Sequence, residues 1–317
     1  MSLAPAGPGA TSPVVAAPTP SRARAAAPAP TTAARRRTGR RRAASFGWGV
    51  LAVIVSAAFA FPVYWMVNSS LLPTNLISGP DLHLWPDQLT LRNYETAMFK
   101  QVRSPFVPAL GNSLQVTFLV LVASMLLAFF ASLAVTRFRF RGRRAFVLSI
   151  LVVQMIPGEA MMISIFQMVD AAQLLNTVVA LGVVYLAGVL PFTIWTLRGF
   201  VNGVPVELEE AAMIDGCSRP RAFWKVTFPL LAPGLVATGV FAFLQAWNEF
   251  MMALIIMTRP ESMTLPVWLR TFQQATKTTD WGALMAGSVL VAIPVVVFFL
   301  IVQGRMTGGL VSGAVKG

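Results

Sequence analysis

Charge, cysteine and histidine are all scarce in this sequence. Only 12% of its 317 residues are Asp, Glu, Lys or Arg, about half of the roughly 25% a soluble domain spends on its surface. So little polar surface implies that much of the chain meets lipid instead of water. The sole cysteine, Cys217, rules out an intrachain disulfide. The sole histidine, His83, rules out the two-His and Cys/His zinc motifs, so no metal site is expected. None of the lysines (Lys100, Lys225, Lys277, Lys316) follows a glycine. The phosphate-cradling loop ending Gly-Lys-Ser/Thr is therefore missing, and any ATP used here is bound by another polypeptide. No paired catalytic carboxylates or nucleophile elbow stand out, so no catalytic residue is assigned and the chain does not read as an enzyme.

Apolar residues are abundant: 56% of the chain, with a mean hydropathy of +0.68. A spanning helix needs about 20 apolar residues at 1.5 Å each to cross roughly 30 Å of hydrocarbon. Six stretches qualify: Phe46–Ser69, Asn112–Thr136, Ala145 to about Gln167, about Thr177–Leu197, Val226–Met257 and Gly282–Val302. The second follows an approach punctuated by Pro105, Pro108 and Gly111. The third is interrupted by Pro157, Gly158 and Glu159, and the fifth contains Glu249. The expected fold is all-α, a polytopic membrane protein of six transmembrane helices.

Residues 1–44 are rich in Ala, Pro, Thr and Arg, with no periodic apolar face and no acid before Asp81. Nothing in them offsets the entropy of folding, and they are expected to be a disordered basic cytoplasmic tail ahead of a six-helix transmembrane domain over 45–317. Arginines beside a first span are read as topogenic and drawn to anionic headgroups, not as a nucleic-acid site. If the chain starts inside, nineteen of its 25 Lys and Arg fall on the inner side and six outside, as the positive-inside rule requires. Both termini are then cytoplasmic. The external segment Leu71–Gly111, with turn residues at Pro73, Gly79, Pro80, Asp81, Pro86 and Asp87, is too long for a simple turn. A short helix fits near Asn93–Lys100. An ordered cap and a docking surface for an external partner remain equally open for it.

The most informative loop lies between the fourth and fifth spans, at 198–225. Pro205 is suited to starting a helix, and Glu207, Glu209 and Glu210 sit in its early turns, where negative charge complements the helix dipole. Ala211 and Ala212 follow with almost no side-chain bulk, and Gly216 is placed to end the helix in a left-handed conformation. That makes about ten residues, or roughly 15 Å, with a second helix starting near Pro220 and entering the fifth span. The acidic first turn does not suit a helix lying on headgroups, since such helices are usually Lys/Arg-rich on their polar face.

Glu210, Ala211 and Ala212, then three residues, Gly216, nine residues and Val226–Pro229 together resemble the EAA loop of ABC importer permeases. Val226 and Phe228 stand where the family has Ile and Leu. The run ELEEAAMIDG, the basic Arg137–Arg144 and AWNEF (Ala246–Phe250) look like the carbohydrate-uptake branch. Gly308–Gly317 resembles the end of the second permease subunit of maltose-type importers. The likeness covers about 46–317. It implies a type I ABC importer transmembrane domain in a bacterial plasma membrane, in which the EAA helix is a coupling helix seated in an ATPase subunit. Glu210, Ala211, Ala212 and Gly216 would then form the contact, with Asp215 and Arg219 flanking it and Gly308–Gly317 a secondary contact. The implied partners are a second homologous permease, two ATPase subunits that carry the ATP and Mg, an extracytoplasmic sugar-binding protein and the carbohydrate itself. No cofactor is expected on this chain.

Glu159, Asn248 and Glu249 interrupt otherwise apolar spans. An ionisable group at bilayer depth costs a few kcal/mol and normally faces protein or water. They are candidates for a translocation path or an interior polar contact, with a structural helix–helix hydrogen bond as the competing reading. Tyr64, Trp65, Tyr185 and Trp195 could stack on sugar, though interfacial anchoring is the commoner use of such rings. The alternative function is an ion-coupled secondary transporter using the intramembrane carboxylates, which would have no need of an acidic, alanine-paired loop.

Overall fold

The computed structural model describes residues 32–79, 81, 83–86, 88–100, 105–273 and 279–314, with backbone only for 32–45 and 306–314. The first 31 residues of the basic tail, Pro80, Asp87, Arg103, Lys277 and the last three residues lie outside the described residues, as do the side chains of Gly308–Ala314. All regular structure among the described residues is helical: α1 Thr32–Leu71, α2 Thr74–Ile77, α3 Arg92–Glu95, α4 Phe106–Arg137, α5 Arg143–Gln154, α6 Met162–Ala171, α7 Val178–Gly203, α8 Glu207–Ile214, α9 Arg219–Ala222, α10 Phe228–Asn248, α11 Met251–Ile256, α12 Leu265–Arg270 and α13 Trp281–Ala314. Five helical stretches are long and apolar enough to cross a membrane. The pair α5 and α6, bent by 84° at Pro157–Gly158, makes a sixth span if counted as one. The chain divides into two units, Met1–Phe59 and Ala60–Gly317.

Three boundaries differ from the sequence reading, each for a local reason. α1 already begins at Thr32, so residues 32–44 are helical where composition suggested disorder; Ala and Arg are good helix formers, and a long apolar helix downstream removes the cost of nucleation. α4 takes in the Pro-rich approach, with Pro105 as its N-cap and Pro108 in its first turn, where a missing N–H costs nothing. The fifth apolar run is not one helix: it ends at Asn248 and resumes at Met251.

Within the second unit, α4, α7 and α10 form the centre. The buried positions of α4 are Phe106, Ala109, Ser113, Val116, Thr117, Val120, Ser124, Ala128, Ser132 and Val135, a stripe with helical spacing. Ser124 and Ser132 donate to the carbonyls of Leu121 and Phe129 three residues back, so these small hydroxyls are satisfied inside the packed face. Val116, Val120, Leu181, Tyr185, Val189, Ala242 and Ala246 meet in one cluster, to which α11 adds Ala253 and Ile256. Close approach requires small residues here, as helix packing in lipid generally does. A Cβ on Gly234 of α10 would sit 2.4 Å from the Phe200 ring of α7. A second cluster joins Phe243 and Trp247 to Trp268, Phe272 and Leu284, with Phe243 stacked on Phe298 at 3.9 Å. Phe118, Phe130, Leu126 and Val296 point outward from the spans and are exposed, the arrangement expected of lipid-facing side chains.

The segment after α1 folds back on its end. Asn93 is buried and donates to the carbonyls of Ser70 (2.9 Å) and Leu72 (2.7 Å), and the Tyr94 and Ser70 hydroxyls lie 2.7 Å apart. Asn68 donates to the His83 carbonyl at 2.9 Å. The short helix expected near Asn93–Lys100 is present as α3 followed by a π turn, Thr96–Lys100. At the end of the bundle where α7 begins, the Asn176 side-chain oxygen accepts from the Arg259 amide (2.8 Å) and the Ser262 hydroxyl (2.7 Å), pinning the α6–α7 turn to the loop after α11. Asn176 itself has φ +61°, a conformation Asn tolerates better than most residues.

Candidate functional site

The loop between α7 and α10 forms a compact helical protrusion at the end of the bundle that also carries Arg137. α8 is shorter than expected: its cap is Val206, whose carbonyl accepts from Glu209 (2.9 Å) and Glu210 (3.2 Å), so Pro205 lies one residue outside. Its C-terminus closes as a Schellman motif. The Cys217 amide donates to Ala212 (3.0 Å) and the Gly216 amide to Met213 (3.1 Å), with Gly216 at φ +90°. That φ is strained for any side chain, which is why glycine stands here. Ser218 is the cap residue of α9, with Pro220 in its first turn. A π turn, Phe223–Thr227, then joins α9 to α10.

The protrusion has two faces of opposite character. Glu210, Ala211, Asp215, Gly216 and Arg219 are exposed and Ala212 is half-buried; in chain order the first five of these expected contact residues lie on α8 and the turn that ends it, and Arg219 opens α9. The protrusion also exposes apolar side chains: Ile214 is 87% exposed, and Val206, Leu208 and Met213 are partly open.

Glu209 points the other way. Its carboxylate accepts a hydrogen bond from the Thr227 hydroxyl, and the same oxygen lies 3.9 Å from an Nη of Arg137, with both charged side chains 12% exposed. That Nη also donates to the Val204 carbonyl at 3.0 Å. Sequence reasoning credited Glu209 only with a place in the acidic first turn and missed Arg137 and Thr227. The partners are too far apart along the chain for spacing to reveal them.

The intramembrane polar residues separate into different roles. Glu249 follows α10 directly, and its two carboxylate oxygens accept the amides of Met252 (2.8 Å) and Ala253 (3.2 Å) at the start of α11. Its backbone carbonyl accepts from the Tyr185 hydroxyl of α7 at 3.2 Å. Asn248 donates to the Leu244 carbonyl at 2.9 Å, capping the last turn of α10. Side by side, one residue closes a helix and the next opens another, which is how an apolar run breaks here without Gly or Pro. Glu159 is exposed in the 3₁₀ turn at the α5–α6 bend. Tyr64 donates to the Leu84 carbonyl and Trp195 lies under the Arg198 guanidinium at 5.1 Å, so both rings have structural partners.

Residues 121–306 match the family described as binding-protein-dependent transport system inner membrane component. The chain is 44% identical over 268 residues to the diacetylchitobiose uptake system permease protein DasC of Streptomyces coelicolor, covering 84% of this chain and 96% of that one. It is 35% identical over 271 residues to the trehalose transport system permease protein SugB of Mycobacterium tuberculosis, covering 85% and 97%. In fold it is similar to a chain of a bacterial ABC transporter that imports the acidic polysaccharide alginate, with a TM-score of 0.67 at 21% identity over 88% of this chain and 99% of that chain. An all-helical, multi-span bundle with an exposed helical loop and a family match over more than half its length is therefore a transport permease and not an enzyme: the chain belongs to the binding-protein-dependent transport system inner membrane components.

Proposed function

We propose that this chain is one of two homologous transmembrane subunits of an ATP-driven sugar importer, and that α8 is its contact with a cytoplasmic ATPase subunit. The observation that carries the reading is α8 itself. It is a short helix closed rigidly at Gly216, acidic at its start, with Ile214 and Met213 exposed to solvent. An isolated exposed isoleucine would mean little, but apolar side chains beside Glu210 and Asp215 on one protrusion suit an apolar groove with basic groups at its rim. ATP and Mg belong to the ATPase. When its dimer closes, α8 moves with the cleft and the spans exchange inward-facing for outward-facing. Sugar then enters from an external binding protein and leaves on the cytoplasmic side after hydrolysis. Relatives named for diacetylchitobiose and trehalose uptake favour a short, neutral oligosaccharide as cargo. The same topology puts α8 and both termini in the cytoplasm of a bacterium whose plasma membrane holds the bundle, consistent with the clustering of basic residues beside it.

The test is to place Glu210→Lys or Gly216→Pro in the assembled importer. Each variant is expected to insert at normal level while co-purification of the ATPase and sugar uptake fall together. Normal uptake by either variant at normal protein level would overturn the docking role.

A further inference from the structure

The loop residues that face inward suggest how a push on α8 reaches the bundle. α8 is joined covalently to α7 through Val204–Val206 and to α9 through Asp215–Ser218, where the Gly216 and Cys217 amides close the turn onto Met213 and Ala212. Its firm attachment is the buried carboxylate of Glu209, which takes the Thr227 hydroxyl and faces Arg137 on a single oxygen. Thr227 is fully buried at the head of α10, Arg137 is the last residue of α4, and the Arg137 guanidinium is also fastened to Val204 where α7 ends. Glu209 therefore faces the ends of α10 and α4 directly, and that of α7 through Arg137.

We propose that Arg137, Glu209 and Thr227 form the joint that converts displacement of α8 into movement of α4, α7 and α10. They are positioning residues of the transport cycle, distinct from the exposed residues that would touch the ATPase. The inference rests on the docking reading above. The geometry suits a working joint better than a static brace. At 3.9 Å the Arg137–Glu209 pair is outside the 2.7–2.9 Å of a closed charge-assisted hydrogen bond, and the Arg137 Nε is buried with no hydrogen-bond partner among the described residues. A shift of α8 toward α4 by about 1 Å would close the pair, and the reverse shift would open it. Because both charges are mostly buried, neither state is indifferent to the separation.

The test needs no knowledge of the sugar. In the assembled importer with Cys217 replaced by serine, spin labels at Arg141 beyond α4 and Leu230 on α10, both exposed, report the distance between the two helices with and without ATP and vanadate. In the otherwise native chain the distance distribution is expected to shift on ATP–vanadate binding. With Glu209→Gln or Arg137→Gln the ATPase is expected to remain bound and to hydrolyse ATP. The fraction of molecules reaching the shifted distance should fall about tenfold, the scale of an ordinary coupling between sites. The double variant should be no worse than either single one, and Glu209→Asp should restore part of the shift. Thr227→Val, which keeps the side-chain shape, serves as the independent variant should Arg137→Gln fail to accumulate, and is expected to reduce the shift as well. An undiminished shift in Glu209→Gln and Thr227→Val would overturn the joint. So would loss of ATPase binding in Glu209→Gln, which would make Glu209 a docking residue. If the native chain bound no ATPase at all, the docking reading itself would fall, and this outcome is separate from the others.

Discussion

At the scale of single residues, Glu249 shows how environment decides the meaning of a charge. In the sequence it is a carboxylate inside an apolar run, which points to a path or an ion site. In the structure both its oxygens are engaged by the first free amides of α11, so its charge complements a helix N-terminus. If capping is its role, Glu249→Gln keeps one acceptor oxygen and should cost little. Glu249→Ala frees both amides and should cost about 1–2 kcal/mol, seen as a lower melting temperature in detergent. An ion-coupled transporter would behave differently: Gln would abolish uptake as fully as Ala. Gly216, in contrast, was readable from the sequence, because few residues other than glycine end a helix at φ +90°. Glu209 was not, since nothing local distinguishes it from Glu207 and Glu210. Only the fold sets it against Arg137 and Thr227.

At the scale of elements, the long apolar runs gave away the spans, since few residues in them could meet water. The α5–α6 bend was marked by Pro157 and Gly158. The break after α10 left a fainter signal, a polar pair in an apolar stretch, readable as two caps only once the helices are seen to stop and start there. For α8 the exposed face makes a direct prediction. Ile214 is 87% exposed, so Ile214→Asp should leave protein level and melting temperature unchanged. It should nevertheless weaken ATPase binding about tenfold, because a buried apolar anchor carries much of a contact's energy. Titrating purified ATPase against the membrane complex measures this. Equal affinity with and without Ile214 would remove it from the interface.

At the scale of the whole molecule, exposed apolar side chains lie along the spans, on the segment after α1 and, beside acidic ones, on the protrusion. The proposed orientation in the membrane rests on basic-residue asymmetry, and the lone cysteine offers a way to check it. Cys217 is half-buried beside Gly216 at the tip of α8. An impermeant maleimide should modify it in inside-out vesicles and leave it untouched in intact cells. Bound ATPase should slow the modification. Labelling of intact cells would reverse the topology and leave α8 on the wrong side for any nucleotide-driven partner.

The wide turn at Phe223–Thr227 has a bearing on how this chain tolerates change. A π turn holds one residue more than an α-helical turn of the same rise. Deleting a single residue there would let the backbone relax into regular helix and swing α9 around its axis by about 100° relative to α10. Arg219 and Arg221 would then face new directions, and the Thr227 hydroxyl would lose its place beside Glu209. Length polymorphism at this spot should therefore be far less forgiving than in an ordinary surface loop.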